Sequence, residues 1–265
     1  MISATFNGPL VLLLPAQIVE ANRVASNDVA QQDTPQRRII EAAAAAYKLY
    51  ANQELIRSPN PVLRFDDTVT LSQHGSVYLW TDSRSRPLAI ASFYFQADGA
   101  RVDEFQSLST VDSLRAEYEG QIVWNPKAIG IEFQSLEDEH EVPSAKERRL
   151  GVMRTIARRF TASVMDRRAG RLELRLLPQP LYRYGDEEKD VVDGALFSYA
   201  KGTNPEVLLV LEARAEGPVR KWRYALARMS ARGCNATLDG TEIWALPAVG
   251  YKQDSDQPYF NRYTR

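Results

Sequence analysis

Two stretches of this sequence match each other at an offset of 119 residues, and no other feature restricts the fold as much. Setting residue 54 over residue 173 and reading to residue 75 without a gap pairs Glu54 with Glu173, Leu55 with Leu174, Pro59 with Pro178, Pro61 with Pro180, Arg64 with Arg183, Asp67 with Asp186 and Gly75 with Gly194. Chance would supply about one or two such identities, so the window reads as an internal repeat. Val62/Leu181, Phe65/Tyr184, Tyr78/Phe197 and Trp80/Tyr199 are conservative pairs in the same register. With small gaps it continues through Pro87/Pro205, Phe105/Tyr224, Gly120/Gly240 and Trp124/Trp244.

Each copy opens with a helix and continues as strands. Thr34-Pro35 reads as an N-cap followed by proline at the first helical position, where the missing N–H costs nothing. Ile39, Ile40, Ala43, Tyr47 and Tyr50 then recur at helical spacing, which predicts a helix over 35–52. Ser144 with Glu147 resembles a capping box, with Met153, Ile156, Ala157, Phe160 and Val164 on one face and Gly170 as the stop. The expected strands of copy one are 55–65, 76–81, 88–96, 101–107 and 121–124. Those of copy two are 172–184, 195–200, 206–213, 221–229 and 241–246. Short connections favour antiparallel meanders, and each Pro-x-Pro marks a break, because proline cannot donate to a ladder. The fold class expected is α+β: a tandem duplication of a helix plus a four- to five-stranded antiparallel meander, related by a pseudo-twofold. Its organisation is a leader over 1–33, repeats over 34–125 and 144–247, a linker over 126–143 and an irregular tail over 248–265. The duplicated Glu54/Glu173 and Arg64/Arg183 suggest reciprocal ion pairs, Glu54 with Arg183 and Glu173 with Arg64, across that axis.

The 265 residues, 44% hydrophobic and 25% charged, suffice for one large or two small cores. A net charge of -1 and a pI near 6.2 give no overall pull toward nucleic acid or an anionic membrane. The single cysteine, Cys234, excludes an intrachain disulfide, and only His74 and His140 are available to a histidine-based site. Leu10–Leu14 is too short to span a bilayer as a helix. With Val19-Glu20-Ala21 behind it, this run fits an export signal, although no lysine or arginine precedes it. The expected location is periplasmic or extracellular, with the cytoplasm as the alternative.

The elements Pro59-x-Pro61-Val62-Leu63-Arg64, Gly75-x-Val77-Tyr78-x-Trp80-Thr81, Glu104-Phe105-x-Ser107-Leu108-Ser109, Leu181-Tyr182-Arg183-Tyr184 and Asp193-Gly194-Ala195-Leu196-Phe197 resemble a family of exported planctomycete-type bacterial proteins of unknown function. The resemblance covers roughly residues 35–250. It implies export and no particular chemistry. Many members of that family carry histidines beside the Glu-Phe pair, where this chain has Asp103 and Gln106.

Several groups are candidate sites. Glu104 is a candidate general base with Ser107 or Ser109 beside it, set against an alternating strand that points Phe105 inward and its polar neighbours outward. Trp80, Trp124, Trp222 and Tyr224 are candidate ligand-binding rings, although duplicated positions such as Trp124 and Trp244 read more simply as core anchors. The acidic run 137–141 lacks calcium-loop spacing and reads as solvated linker, so no metal site is expected. Arginines 148, 149, 154, 158, 159, 167 and 168 would crowd a helix over 145–169. That density could grip phosphates, but it reads first as a solvated flank. No glycine-rich phosphate loop, nucleophile elbow or CxxC occurs, and no cofactor is expected. The leading functional reading is a non-enzymatic binding or structural protein whose partner is a small molecule, a glycan or another protein, with any ligand in the cleft between the copies. The alternatives are a carboxylate-dependent hydrolase using Glu104 and, more weakly, a nucleic-acid binder through 145–169.

Overall fold

The computed structural model describes residues 34–67, 71–111, 113–137, 141–186, 189–250 and 254–265. The expected leader, 1–33, and most of the acidic run 137–141 lie outside them. Helix α1 (Pro35–Ala46) is capped as expected, with the Thr34 hydroxyl accepting from the Arg37 N–H at 3.2 Å. It stops at Ala46 rather than near residue 52, and the chain passes straight into β1 (Tyr47–Tyr50). There Tyr47 and Leu49 are buried while Lys48 is exposed, so period-two burial takes over the aromatic residues that had suggested another helical turn.

The first half continues with β2 (Ile56–Arg57), β3 (Leu63–Asp67), β4 (Ser72–Thr81), β5 (Pro87–Phe95), β6 (Arg101–Ser107), β7 (Arg115–Tyr118) and β8 (Gln121–Trp124). Strands β2 and β3 both pair with β4, one on each side of the Pro59-Asn60-Pro61 break, and β5 and β6 follow in an antiparallel meander. Strands β1, β7 and β8 form a separate small sheet. After β9 (Gln134–Ser135), the second half runs through α2 (Lys146–Ala157), β10 (Phe160–Asp166), β11 (Gly170–Glu173), β12 (Arg175–Leu176), β13 (Tyr182–Tyr184), β14 (Val191–Lys201), β15 (Asn204–Glu216), β16 (Val219–Arg228), β17 (Gly233–Leu238) and β18 (Thr241–Leu246). Its partners recur in the same order: β12 and β13 pair with β14, then come β15 and β16, and β10 pairs with β17, which pairs with β18.

Strand outweighs helix so heavily that the α+β label is corrected to a mostly antiparallel, all-β-like fold with two helices among the described residues. The capping box at Ser144 does not form, because α2 begins after Ala145 without a side-chain cap. Arg149 instead donates to the Pro143 carbonyl at 2.7 Å and to the Ser144 carbonyl. Phe160 and Val164 belong to β10, and Gly170 (φ +74°) turns β10 into β11 rather than ending a helix. The stretch expected to be an irregular tail contains β19 (Tyr259–Thr264), whose aromatic and threonine side chains favour a ladder.

The halves meet through their large sheets. Val77, Leu79, Ile90 and Val102 from one sheet share an apolar cluster with Leu196, Leu208, Val210 and Ala225 from the other. The alternate residues face the opposite way. Tyr78, Trp80, Phe93 and Phe105 pack under α1 and the small sheet, and Phe197, Tyr199, Leu209 and Leu211 pack under α2, β10 and β17. Both large sheets are therefore covered on both faces, as their unbroken runs of buried residues require. Their edges are exchanged. The strand beyond the first half, β9, pairs with β16, and the strand beyond the second half, β19, pairs with β6.

The ungapped identities now have local reasons. Phe65 lies opposite Gly75, and Tyr184 opposite Gly194, with each ring laid over a glycine backbone. A Cβ would stand 2.3 Å from the Phe65 ring at Gly75 and 2.7 Å from the Tyr184 ring at Gly194. The expected ion pairs across the axis are replaced by local ones. Arg183 grips Asp193 at 3.0 and 2.6 Å, and Glu173 takes Arg171 at 2.9 Å. One carboxylate that does join the halves is Glu212, held by Arg86 at 3.1 and 3.2 Å.

Gly75→Ala and Gly194→Ala should each cost about 1–3 kcal/mol through overpacking. Gly151→Ala, on an exposed turn of α2 with nothing within 4 Å of the added atom, should stabilise by up to about 1 kcal/mol. Urea midpoints of the three variants check the opposite signs.

Candidate functional site

A carboxylate buried in an apolar sandwich must be held by donors, and most of those here are. Asp103 accepts from Tyr47 Oη at 2.7 Å and from Arg101 at 2.7 and 3.0 Å. Glu212, besides Arg86, accepts from Tyr184 Oη at 2.7 Å and Arg214 Nε at 2.6 Å. Such groups are part of the framework.

One place departs from this rule. Strand β6 sends Phe105 outward under α1, so Glu104 points the other way, into the inner layer, and is 4% exposed. Its strand neighbours are Ser92 on β5 and Asn261 on β19. Tyr259 Oη, two residues before Asn261, donates to Glu104 Oε1. From the second half, the tight β14–β15 turn at Gly202 (φ +65°) delivers Asn204 and Glu206 to the same region. Glu104, Asn204, Glu206 and Asn261 line one cavity of about 530 Å³ together with Tyr94, Tyr259 and Arg232.

Three acceptor atoms of these residues, Asn204 Oδ1, Glu206 Oε2 and Asn261 Oδ1, have no hydrogen-bond partner, and each is closed off from solvent and from the cavity space. Their residues are 7%, 1% and 6% exposed, so bulk water does not solvate them freely. Glu206 Oε1 is occupied by Arg232 Nη1 at 2.9 Å, and the Ser230 side chain also supports its charge. Burial pushes the Glu104 carboxyl up to about 8; the Tyr259 hydrogen bond works against that rise and the nearby Glu206 charge adds to it. Burial also raises Glu206, against the pull of Arg232.

The remaining sequence candidates are dispersed. Trp80 and Trp124 are buried in the core beneath α1, and Trp124 Nε1 donates to the Gln257 carbonyl at 2.7 Å. Trp222 is buried in the core beneath α2. Trp244, the counterpart of Trp124, is only half-buried, so the two are not equivalent anchors. Of the four rings proposed as ligand contacts, Tyr224 lines a second cavity of about 380 Å³, together with Trp244. Its Oη donates to Gln134 Oε1 at 2.6 Å, and its ring packs edge-on to Phe160. The expected helix over 145–169 ends at Ala157, which breaks up the arginine row. Arg149 is buried, Arg159 pairs with Asp239 at 2.6 Å, and Arg167 and Arg168 sit in the β10–β11 turn. Burial pushes the Cys234 thiol up to about 12, so it is unreactive at neutral pH. Among the described residues no three His, Cys, Asp or Glu side chains are grouped to hold a metal ion. No described helix is long and apolar enough to cross a membrane.

The sequence reading found Glu104 but missed Asn204, Glu206 and Asn261. The available signal was polar residues at positions whose strand parity points inward, and β19 had not been recognised as a strand. Comparison with family models, curated proteins and solved structures gives no match.

Glu104 binds its proton more tightly in the folded chain than in the unfolded chain, where its value is near 4.5. The resulting stability is complete below about pH 4.5, is lost as the pH rises through about 8, and amounts to at most about 5 kcal/mol. Unfolding free energies measured between these limits should fall with pH in the wild type and fall less in Glu104→Gln. The amide carbonyl that this substitution introduces can still accept from Tyr259.

Proposed function

We propose that this protein binds a small polar molecule in the cavity lined by Glu104, Asn204, Glu206 and Asn261, and that it acts as a binding protein rather than an enzyme. The observation that carries this reading is the convergence of four largely buried polar side chains, Glu104, Asn204, Glu206 and Asn261, on one cavity. A volume of about 530 Å³ lies within the range of small-molecule sites. On the same reading the two halves descend from one duplicated unit, and binding takes place outside the cytoplasm.

A second reading, hydrolysis, is favoured by Glu104 alone. With its value near 8 the group keeps its proton at neutral pH, which suits a general acid rather than the base expected from sequence, and Glu206 would then be the base.

A thermal-shift screen of hydroxyl- and amine-bearing compounds should yield hits, because binding to the native state raises the melting temperature. Asn261→Leu should abolish the shift while leaving the ligand-free melting temperature unchanged or higher. Hits that are indifferent to both Asn261→Leu and Asn204→Leu would sink the assignment. For export, mass spectrometry of the chain recovered from its native host should show an N-terminus beyond Ala21. Intact Met1 in a cytoplasmic fraction would refute it.

A further inference from the structure

We propose that the second cavity, of about 380 Å³, is a slot for an extended peptide segment of a partner protein, which adds to the free edge of β16 as a strand. It is a different site from the cavity at Glu104, and neither assignment depends on the other.

Residues 224–228 of β16 and residues 129–132 line this cavity without a break. Successive side chains of a strand point to opposite faces, so a cavity that touches consecutive residues runs along the strand's edge. It begins where β9 stops: Gln134 pairs with Tyr224, and the ladder goes no further. The stretch 224–228 spans about 14 Å, which matches roughly four residues of extended chain.

The main chain of β16 shows which groups face the gap. The Leu136 N–H donates to the Trp222 carbonyl at 3.0 Å, and the Met229 N–H donates to the Glu206 carbonyl at 2.8 Å. In an antiparallel ladder the N–H and C=O of one residue point to the same side, and the side alternates along the strand. Even-numbered residues of β16 therefore address β9, and odd-numbered ones address β15. Leu226 and Arg228 turn their N–H and C=O groups toward the gap, where they have no main-chain partner among the described residues. The opposite wall is held away from them. Gly130 and Ile131 donate their N–H groups to the Ser109 carbonyl at 2.8 and 3.3 Å, and a Cβ on Gly130 would stand 2.1 Å from the Ser107 carbonyl oxygen. The 129–132 segment is thus pressed against the end of β6 and does not close on β16.

The other half shows what such an edge accepts. There β19 runs along β6 from Arg101 to Gln106, and at the 119-residue offset Gln106 corresponds to Ala225. In the second half the chain supplies only the two residues of β9, so an added strand continues a ladder that already exists. A folded second copy would bring its whole sheet against the 129–132 segment, so the occupant is a single extended chain. Its side chains meet Ile129 and Ile131 from the segment before β9, and Ile243, Trp244 and Leu246 from β18. Those walls suit aliphatic and aromatic residues with a preference for extended backbone, while the main chain supplies the hydrogen bonds.

Hydrogen exchange followed by NMR on the full chain tests the edge first. The Leu226 and Arg228 amides should exchange at least about tenfold faster than those of Ala225 and Ala227. Binding is then measured with acetylated, amidated peptides Lys-X-X-X-X-Lys in which each X is Val, Ile, Thr, Phe or Tyr. At least one should bind by calorimetry and slow exchange at Leu226 and Arg228. N-methylation of alternate residues in that peptide should cost about tenfold in one register and about twofold or less in the other, because only one set of its N–H groups faces β16. Ile129→Asp, at a residue 46% exposed, should weaken binding about tenfold and leave the melting temperature of the free chain unchanged. Equal protection across residues 225–228 in the free chain would show a closed edge and overturn the proposal. So would a library without a binder, or binders that tolerate N-methylation in both registers or ignore Ile129→Asp. None of these results bears on the cavity at Glu104, which its own screen judges.

Discussion

The apolar layer shared by the two large sheets is the constraint on which the other features depend. Val77, Leu79 and Ile90 meet Leu196, Leu208 and Val210 there, while Tyr78, Trp80, Phe197 and Tyr199 bury the opposite faces. A strand covered on both sides has no solvent-facing register into which a polar residue can retreat. Every charge on these strands must therefore be paired or become conspicuous. Asp103, Asp193 and Glu212 are paired, and Glu212 ties the halves together through Arg86. Glu206 is paired with Arg232 and, unlike Glu212, lines the cavity.

How much was legible in the sequence follows from the same constraint. The repeated run over 54–75 and 173–194 was visible because an aromatic ring lying on a glycine tolerates little change at either position. Strands 101–107, 121–124 and 241–246 were found at their true limits, since turn residues bound them sharply. Helix ends were not found, because Tyr47 and Phe160 satisfy a helical and an extended pattern equally and tertiary pairing decides between them. Strands β7 and β17 were missed for a related reason: Ala116 and Ala236 supply their buried positions with little hydrophobic signal.

The cavity was harder to foresee because it lies where the two halves differ. At the 119-residue offset Glu104 corresponds to Arg223, and in the first half Leu88 follows Pro87 where in the second Glu206 follows Pro205. Residues held in common turned out to form the framework: the buried Trp80 and its counterpart Tyr199, and the glycines beneath the Phe65 and Tyr184 rings. A search for shared residues was thus a search for core. The informative positions were those where one half places a buried carboxylate and the other does not.

The exchanged edge strands are unequal. Strand β9 pairs through two residues, whereas β19 pairs through six and brings Tyr259 and Asn261 to Glu104. On a ribosome, β4, β5 and β6 emerge long before β19, so Glu104 spends the intervening synthesis beside an uncovered strand edge, without Tyr259. The half that is made first therefore acquires its share of the cavity last. A nascent chain that ends before residue 259 lacks Tyr259 and Asn261, and with them part of the cavity wall.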